Sequence, residues 1–129
     1  MTDGEKRTSC EVLVVEDNRD AAESLKLLLE VFGHRVCVAH DGLEALDSAR
    51  ANHPGVMLVD IGLPEIDGYE VARRIRGEPA LRDVTLVALT GHGRDEDRQA
   101  ALTAGFDHHL VKPIDPEKLD RMIRDAGGN

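Results

Sequence analysis

The sequence predicts an α/β fold, a three-layer α/β/α sandwich in which helices cover both faces of a five-stranded parallel sheet. Short, continuously apolar runs alternate with longer segments whose apolar residues recur at helical spacing, and this alternation repeats five times. Capping residues and glycines stand at the ends of the helical segments. Strands buried on both faces need helices above and below, since each right-handed crossover between parallel strands carries a helix.

The first predicted unit is an apolar run at 12–15 followed by a helix that ends at Gly33. The run stops abruptly at the polar sequence Glu16-Asp17-Asn18. The predicted buried stripe of the helix consists of Ala21, Leu25, Leu28 and Phe32, with Ala22 and Leu29 beside it. A helix with such a stripe packs against one face of the sheet.

The second unit begins with an alternating segment at 35–39, which is typical of a less buried edge strand. Asp41 and Glu44 form a capping-box pair that opens a helix running to about Asn52. The third unit consists of a buried run at 56–59 that ends in Asp60 and a helix that closes near Gly77. The fourth consists of a buried run at 84–89 that ends in Thr90 and a sparsely apolar helix from Arg94 to Ala104. The fifth consists of a short strand at 107–111 before Lys112 and a last helix that is capped by Asp115 and has Leu119, Met122 and Ile123 as its buried stripe.

The length of 129 residues suits one domain, which we place at residues 10–126 between a flexible leader at 1–9 and a short tail at 127–129. The net charge of −9 argues against direct contact with nucleic acid, whose phosphates attract a basic surface. No apolar run approaches the roughly 20 residues of a membrane span, and no signal peptide opens the chain. We therefore expect a cytoplasmic protein without direct membrane contact.

The two cysteines, Cys10 and Cys37, form no spaced motif. We expect them to be small apolar residues in the strands of a reduced protein. Under this interpretation neither takes part in a disulfide.

Polar side chains follow the predicted strands at the points where the strands end. The first strand ends in Glu16 and Asp17, the third in Asp60, the fourth in Thr90 and the fifth in Lys112. Ligands of doubly wound sheets bind outside the carboxyl ends of the strands, where the strand order reverses. If the order is 2-1-3-4-5, the first and third strands are neighbours and three carboxylates converge at one edge.

Converging carboxylates repel each other, so a cation has to neutralise them. Mg²⁺ favours sites that offer a few carboxylates, several waters and phosphate oxygens. The alternative interpretation is that such acids are only helix caps. It is equally good for Asp17 alone, but poor for three acids accompanied by Thr90 and Lys112.

Four motifs occur in order over about residues 10 to 125. They are Val15-Glu16-Asp17-Asn18, Asp60 followed by Leu63-Pro64 and Asp67-Gly68, Thr90-Gly91, and Lys112-Pro113. Together they resemble the receiver domains of two-component response regulators. The resemblance implies a flavodoxin-like sheet of order 2-1-3-4-5, and the stretch 104–113 is similar to receivers at the carboxyl end of hybrid histidine kinases.

The resemblance also implies a role for each matching residue. Asp60 matches the phosphoacceptor, and Thr90 and Lys112 match the groups that contact phosphoryl oxygens. The implied metal ligands are Glu16, Asp17, Asp60 and the carbonyl of Gly62, around Mg²⁺ or alternatively Mn²⁺. The Lys112-Pro113 bond resembles one that is usually cis in the family.

One position departs from the family pattern. The family often has Tyr or Phe three residues before the lysine, where this chain has His109. Thr90 and His109 are the predicted switch residues.

The resemblance also implies an output surface. The face formed by the fourth helix, last strand and last helix is the family's usual surface for signalling or weak dimer formation.

The predicted function is a phosphorylation-activated switch in which Asp60 accepts a phosphoryl group from a histidine kinase or histidine phosphotransfer protein. The isolated domain would catalyse only its own phosphorylation and dephosphorylation. It would be a stand-alone regulator or the receiver of a hybrid histidine kinase. A silent binding scaffold would lack a key residue, and none is missing. A Mg²⁺-dependent phosphohydrolase would need an acid two residues beyond the nucleophile, where Gly62 stands.

Overall fold

A computed structural model describes residues 10–91 and 93–127 of the chain. The predicted leader at 1–9 and residues 128–129 of the predicted tail lie outside the described residues. Strands and helices alternate as β1 (Val12–Val15), α1 (Arg19–Val31), β2 (Val36–Ala39), α2 (Gly42–Asn52), β3 (Val56–Asp60), α3 (Gly68–Arg76), β4 (Thr85–Thr90), α4 (Asp95–Ala104), β5 (His108–Val111) and α5 (Pro116–Gly127).

The strands form one parallel sheet of order β2-β1-β3-β4-β5, which confirms the predicted fold class and strand order. Val15, the last residue of β1, lies beside Ala39 of β2 and Val59 of β3. The carboxyl ends of β1 and β3 therefore lie side by side, at the point where the strand order reverses.

Two hydrophobic cores lie on opposite faces of the sheet, because successive strand side chains point in opposite directions. Leu13 and Met57 face a core that also contains the buried residues of α2, α3 and α4. Val14 and Leu58 face the other core, which receives Leu29 of α1 together with the buried residues of α5. These are the three layers that the alternation of apolar runs and amphipathic segments predicted.

Short polar side chains begin the first two helices, at Asp41 as predicted and also at Asn18, which was not predicted as a cap. Asn18 Oδ1 accepts the amide hydrogen of Ala21 at 3.0 Å, and Asp41 Oδ1 accepts that of Glu44 at 2.8 Å. The Glu44 carboxylate closes the second cap by accepting from the amide of His40, at 2.6 Å. These caps satisfy amide groups that have no partner within the first turn of a helix.

The predicted buried stripe of α1 is wrong in part. Ala22 and Leu29 are fully buried, whereas Ala21 is exposed and Leu28 is 37% exposed. Apolar residues occupy more than half a turn of this helix, and periodicity alone does not decide which part of so wide a stripe faces the sheet. Leu28 instead lines an open groove together with Pro113 and Ile114.

The expectation of two unpaired, reduced cysteines is also wrong. Cys10 and Cys37 are paired in a disulfide, with their Cα atoms 5.7 Å apart. The pairing was not predictable from the sequence, because the two residues are 27 positions apart and meet only when β2 docks beside β1.

Among the described residues, no helix combines the length and the apolar character that crossing a membrane requires.

Candidate functional site

Three carboxylates meet at the carboxyl edge of the sheet. Glu16 and Asp17 directly follow β1, and Asp60 is the last residue of β3. One carboxylate oxygen from each lies within 4.8 Å of the others. The predicted convergence is thus observed, and its cause is the pairing of β1 with β3.

The Asp60 carboxylate is held from two sides. Its Oδ1 accepts the amide hydrogen of Gly62 at 3.0 Å, and its Oδ2 lies 3.6 Å from Lys112 Nζ. The side chain is only 14% exposed. This arrangement orients a carboxylate toward the cleft without burying it completely.

Glu16 is the more enclosed member of the acidic pair. Its side chain is 10% exposed, and its oxygens accept the amide hydrogen of Asn18 at 3.1 Å and a Lys112 Nζ hydrogen at 3.4 Å. Burial raises the pKa of Glu16 and the charge of Asp60 raises it further, against the opposing influence of Asn18 and Lys112. The negative charge of the carboxylates is therefore only partly offset by the positive charge of Lys112.

Thr90 is the last residue of β4 and Lys112 directly follows β5, so both lie at the same edge of the sheet as the acids. The amide of Lys112 donates to the carbonyl of Thr90 at 2.8 Å, which fixes the residue after β5 to the end of β4. Thr90 is 8% exposed at the cleft edge. The Lys112-Pro113 bond is cis, as the resemblance implied.

The donor set fits a hard divalent cation. Glu16, Asp17 and Asp60 offer three carboxylates against the single ammonium group of Lys112. Mg²⁺ prefers oxygen ligands and completes its shell with water and phosphate oxygens. Gly62 contributes a hydrogen bond from its amide to Asp60, whereas its predicted role concerns the carbonyl.

A glycine after Asp67 allows the loop beyond Asp60 to pack tightly. A Cβ atom on Gly68 would lie 2.9 Å from the Asp60 carbonyl oxygen and 2.9 Å from Ile61 Cα. Asp67 caps α3 through the amide of Glu70 at 3.0 Å. The Asp67-Gly68 motif thus fixes the start of α3 against the backbone of the predicted acceptor.

Sequence reasoning missed His40, which follows β2. Its Nδ1 lies 3.1 Å from the carbonyl oxygen of Glu16, so the ring can donate to the peptide that joins Glu16 and Asp17. The available signal was its place directly after the strand that neighbours β1. Strand order was needed to interpret that signal.

His109 lies outside the acidic cluster, on β5 beside Ala88. Both of its ring nitrogens are buried, and neither has a hydrogen-bond partner within the described parts of the chain. Buried polar atoms normally have partners, and an unsatisfied one costs roughly 1–3 kcal/mol. No hydrogen bond to a described residue therefore fixes the position of the ring.

Comparison with known proteins places these features in a family. A family model for the response regulator receiver domain matches residues 12–124. An uncharacterized 14.6 kDa protein of Leptolyngbya boryana is 40% identical over 114 residues, which cover 88% of this chain and 87% of that protein. The response regulator MprA of Mycobacterium tuberculosis is 40% identical over 116 residues, which cover 90% of this chain but 50% of MprA. The chain thus spans about half the length of MprA.

A solved structure shows the same architecture. The receiver domain of sensor histidine kinase PA1611 from Pseudomonas aeruginosa superimposes with a TM-score of 0.84 at 34% identity, covering 93% of this chain and 99% of that one. It was determined with a magnesium ion coordinated in its active-site cleft.

Proposed function

Because this chain belongs to the response regulator receiver domain family, whose general function is that of a phosphorylation switch, we propose that Asp60 is its phosphoacceptor. The observation that carries the proposal is the convergence of Glu16, Asp17 and Lys112 on the Asp60 carboxylate. The domain that carries this function extends over residues 10–126, a range that contains the family match at 12–124.

The transfer step is a substitution at phosphorus. An Asp60 carboxylate oxygen forms the new O–P bond while the N–P bond of a phosphohistidine breaks, and the imidazole leaves with the electron pair and gains a proton. Lys112 Nζ and the Thr90 hydroxyl stabilise the negative charge on the equatorial phosphoryl oxygens. The amide of Gly62 keeps the attacking carboxylate oriented, through its 3.0 Å hydrogen bond.

The metal ligands are Glu16, Asp17, Asp60 and the carbonyl of Gly62. When bound, Mg²⁺ supplies positive charge that offsets the acids and the phosphoryl oxygens. Mn²⁺ accepts the same oxygen ligands and is expected to substitute. Support comes from the spacing of the three carboxylates within 4.8 Å and from the raised pKa of Glu16, whose enclosure and acidic neighbours favour a cation.

An apolar groove beside the site suits the phosphodonor protein. It has a volume of about 350 Å³, and Glu16 and Lys112 lie on its wall with Leu25 and Leu28 of α1 and Ile114. A helix of a histidine kinase or histidine phosphotransfer protein, lying on this groove, would bring a phosphohistidine next to Asp60. The groove shares residues with the acidic site, which is why we assign it to the donor and not to a downstream target.

His109 and Thr90 are the switch residues of this proposal. Since both ring nitrogens of His109 lack partners among the described residues, a small change at Thr90 on the neighbouring strand can favour another ring position. The face formed by α4, β5 and α5 would then change shape. Leu102 and Val111 are 50% and 42% exposed on α4 and β5, and a second copy of this chain is the expected weak partner there.

The parent protein is either a stand-alone regulator or a hybrid histidine kinase. The isolated domain catalyses its own phosphorylation and dephosphorylation and turns over no external substrate. MprA, of which this chain matches 50%, illustrates a receiver within a longer response regulator.

The deciding experiment is intact mass spectrometry after incubation with acetyl phosphate, with and without Mg²⁺. Wild type should gain one phosphoryl group only when Mg²⁺ is present, and Asp60→Asn should gain none. Asp47→Asn removes an acid whose side chain is 82% exposed on α2, and it should behave like wild type.

The absence of an adduct would still allow rapid hydrolysis, which beryllofluoride distinguishes. Binding of this phosphoryl mimic to wild type but not to Asp60→Asn would support a short-lived phosphoprotein. Failure of both probes would contradict the proposed function and favour a silent scaffold.

A further inference from the structure

The Cys10–Cys37 disulfide lies apart from the acidic site. Cys37 is in register with Leu13 near the amino end of the sheet, whereas the acids follow Val15 at the carboxyl end. Cys10 is 4% exposed, and Cys37 is partly buried at the margin of one core. Cys37 is thus the more exposed residue of the pair.

The cross-link closes a loop that contains most of one structural unit. Its ends are 27 positions apart, and the loop spans β1, α1 and the first half of β2, including Glu16 and Asp17. Within residues 10–91 and 93–127, β2 is an edge strand that pairs only with β1, through four residue pairs. Such a strand has no second neighbour to retain it, so a covalent tie to the start of β1 restrains it more than it would a central strand.

We propose that Cys10 and Cys37 form a reversible thiol–disulfide site that exchanges with small-molecule disulfides such as oxidised glutathione, and that its redox state sets the stability of the β1-α1-β2 unit. The partial exposure of Cys37 favours a reversible pair over a permanent one, because exposed disulfides exchange more readily with external thiols than enclosed ones do. The proposal is independent of phosphorylation, since neither sulfur belongs to the acidic site.

The exposures of the two residues predict the order of the exchange steps. The Cys37 thiolate attacks a sulfur of the small-molecule disulfide, forms a mixed disulfide and releases one thiolate. The Cys10 thiolate then attacks the Cys37 sulfur, forms the internal disulfide and releases the second thiolate. Two electrons pass from the protein to the small molecule, and the two protein protons end on the released thiols. The 5.7 Å between the two Cα atoms lies within the range that a disulfide spans without backbone movement.

The test compares native protein equilibrated with oxidised glutathione and with dithiothreitol, without Mg²⁺ or phosphodonor. Iodoacetamide labelling and intact mass should show two free thiols after reduction. After oxidation they should show no free thiol and no glutathione attached to the protein. The oxidised form should unfold about 10–15 °C higher, as expected for a loop of this length in a domain of this size. Its β2 amides should exchange more slowly with deuterium.

Two variants separate this site from general effects of the reagents. Cys10→Ala/Cys37→Ala should show no difference in unfolding temperature between the two conditions. Cys10→Ala alone should accumulate the Cys37–glutathione mixed disulfide, because the resolving thiol is gone.

Three results would overturn the proposal. The first is two freely alkylated thiols after oxidation of the native protein. The second is a disulfide that dithiothreitol reduces only after denaturation, which would make it a permanent structural bond. The third is an unfolding temperature that does not depend on the redox state. None of these outcomes bears on phosphorylation of Asp60, so the two proposals stand or fall separately.

Discussion

Gly68 has no room for a side chain, because the loop after Asp60 folds back against the strand end. A Cβ atom there would lie 2.9 Å from the Asp60 carbonyl oxygen, a distance that forces the backbone to move. The backbone in question belongs to the predicted phosphoacceptor. A side chain at position 68 would therefore displace the backbone of Asp60 as well as the loop.

We expect Gly68→Ala to destabilise the domain by about 1–3 kcal/mol, as overpacking does, and to reduce Mg²⁺-dependent phosphorylation. Urea unfolding and adduct formation by intact mass measure the two effects. Gly77→Ala is the matched control, since its nearest contact would be an ordinary 3.5 Å from the Arg74 carbonyl. Equal stability losses in both variants would contradict the steric argument.

His109 differs from its neighbour His108, which is exposed on the same strand, because both ring nitrogens of His109 are buried without a hydrogen-bond partner among the described residues. The part of the chain that the structure describes therefore offers no hydrogen bond that would hold the His109 ring in one position. We expect His109→Ala to keep phosphorylation of Asp60 but to lose most of the amide chemical-shift changes that beryllofluoride causes in α4 and β5. His108→Ala should retain them. An unaltered response in His109→Ala would remove this residue from the switch.

At the scale of elements, α5 is fastened to the rest of the fold by polar contacts as well as by its buried stripe. His34 Nε2 lies 2.6 Å from Asp120 Oδ1, and Arg124 donates to the Asp120 carboxylate at 2.9 Å and to the Phe32 carbonyl at 2.8 Å. Partial burial acts to raise the pKa of Asp120, but the hydrogen bonds from His34 and Arg124 prevail and hold it below its usual range. The contacts join α5 to the turn after α1.

A lowered pKa means that ionised Asp120 stabilises the fold above its ordinary value of 3.8, and that this stability is lost as the pH falls through the folded value. We expect Asp120→Asn to be less stable than wild type at neutral pH, with a difference that disappears in strong acid. Chemical denaturation between neutral pH and pH 3.8 or below measures the difference. Asp125→Asn, which alters an exposed acid on the same helix, should show no such trend, and a difference that is constant with pH would contradict the assignment.

At the scale of the whole molecule, the direction of the strands separates two kinds of chemistry. The acidic site and the apolar groove beside it lie at the carboxyl ends of the strands, and the cysteine pair lies toward the amino ends. The residues that line the groove do not include either cysteine. Phosphotransfer and thiol exchange can be measured independently for this reason.

The groove predicts a difference between protein and small-molecule phosphodonors. Leu28→Glu should slow transfer from a phosphohistidine protein by about tenfold or more, because charge replaces a buried contact at the interface, while leaving acetyl phosphate reactivity unchanged. Leu43→Glu is the control, since Leu43 is 53% exposed on α2 and does not line the groove. Transfer rates from a purified phosphotransfer protein measure the effect. Equal slowing with both donors would indicate damage to the site and not to the docking surface.

The sequence by itself determined the order and type of the elements and the positions of the acids. Apolar runs such as Val12–Val15 are strands because they are continuous and end in polar residues, and these are local properties of the chain. The strand ends of a parallel sheet share one edge, so the acids after β1 and at the end of β3 were predictable as a group once the strand order was assumed.

Only the tertiary structure decided which side of α1 is buried and which distant residues meet. The rotation of α1 depends on its contact with the sheet, and a wide apolar stripe permits more than one rotation. The Cys10–Cys37 pair, the His40–Glu16 contact and the His34–Asp120 contact each join elements that are separate along the chain. Such contacts depend on how the elements dock against one another, and the periodicity of the sequence within one element does not predict that docking.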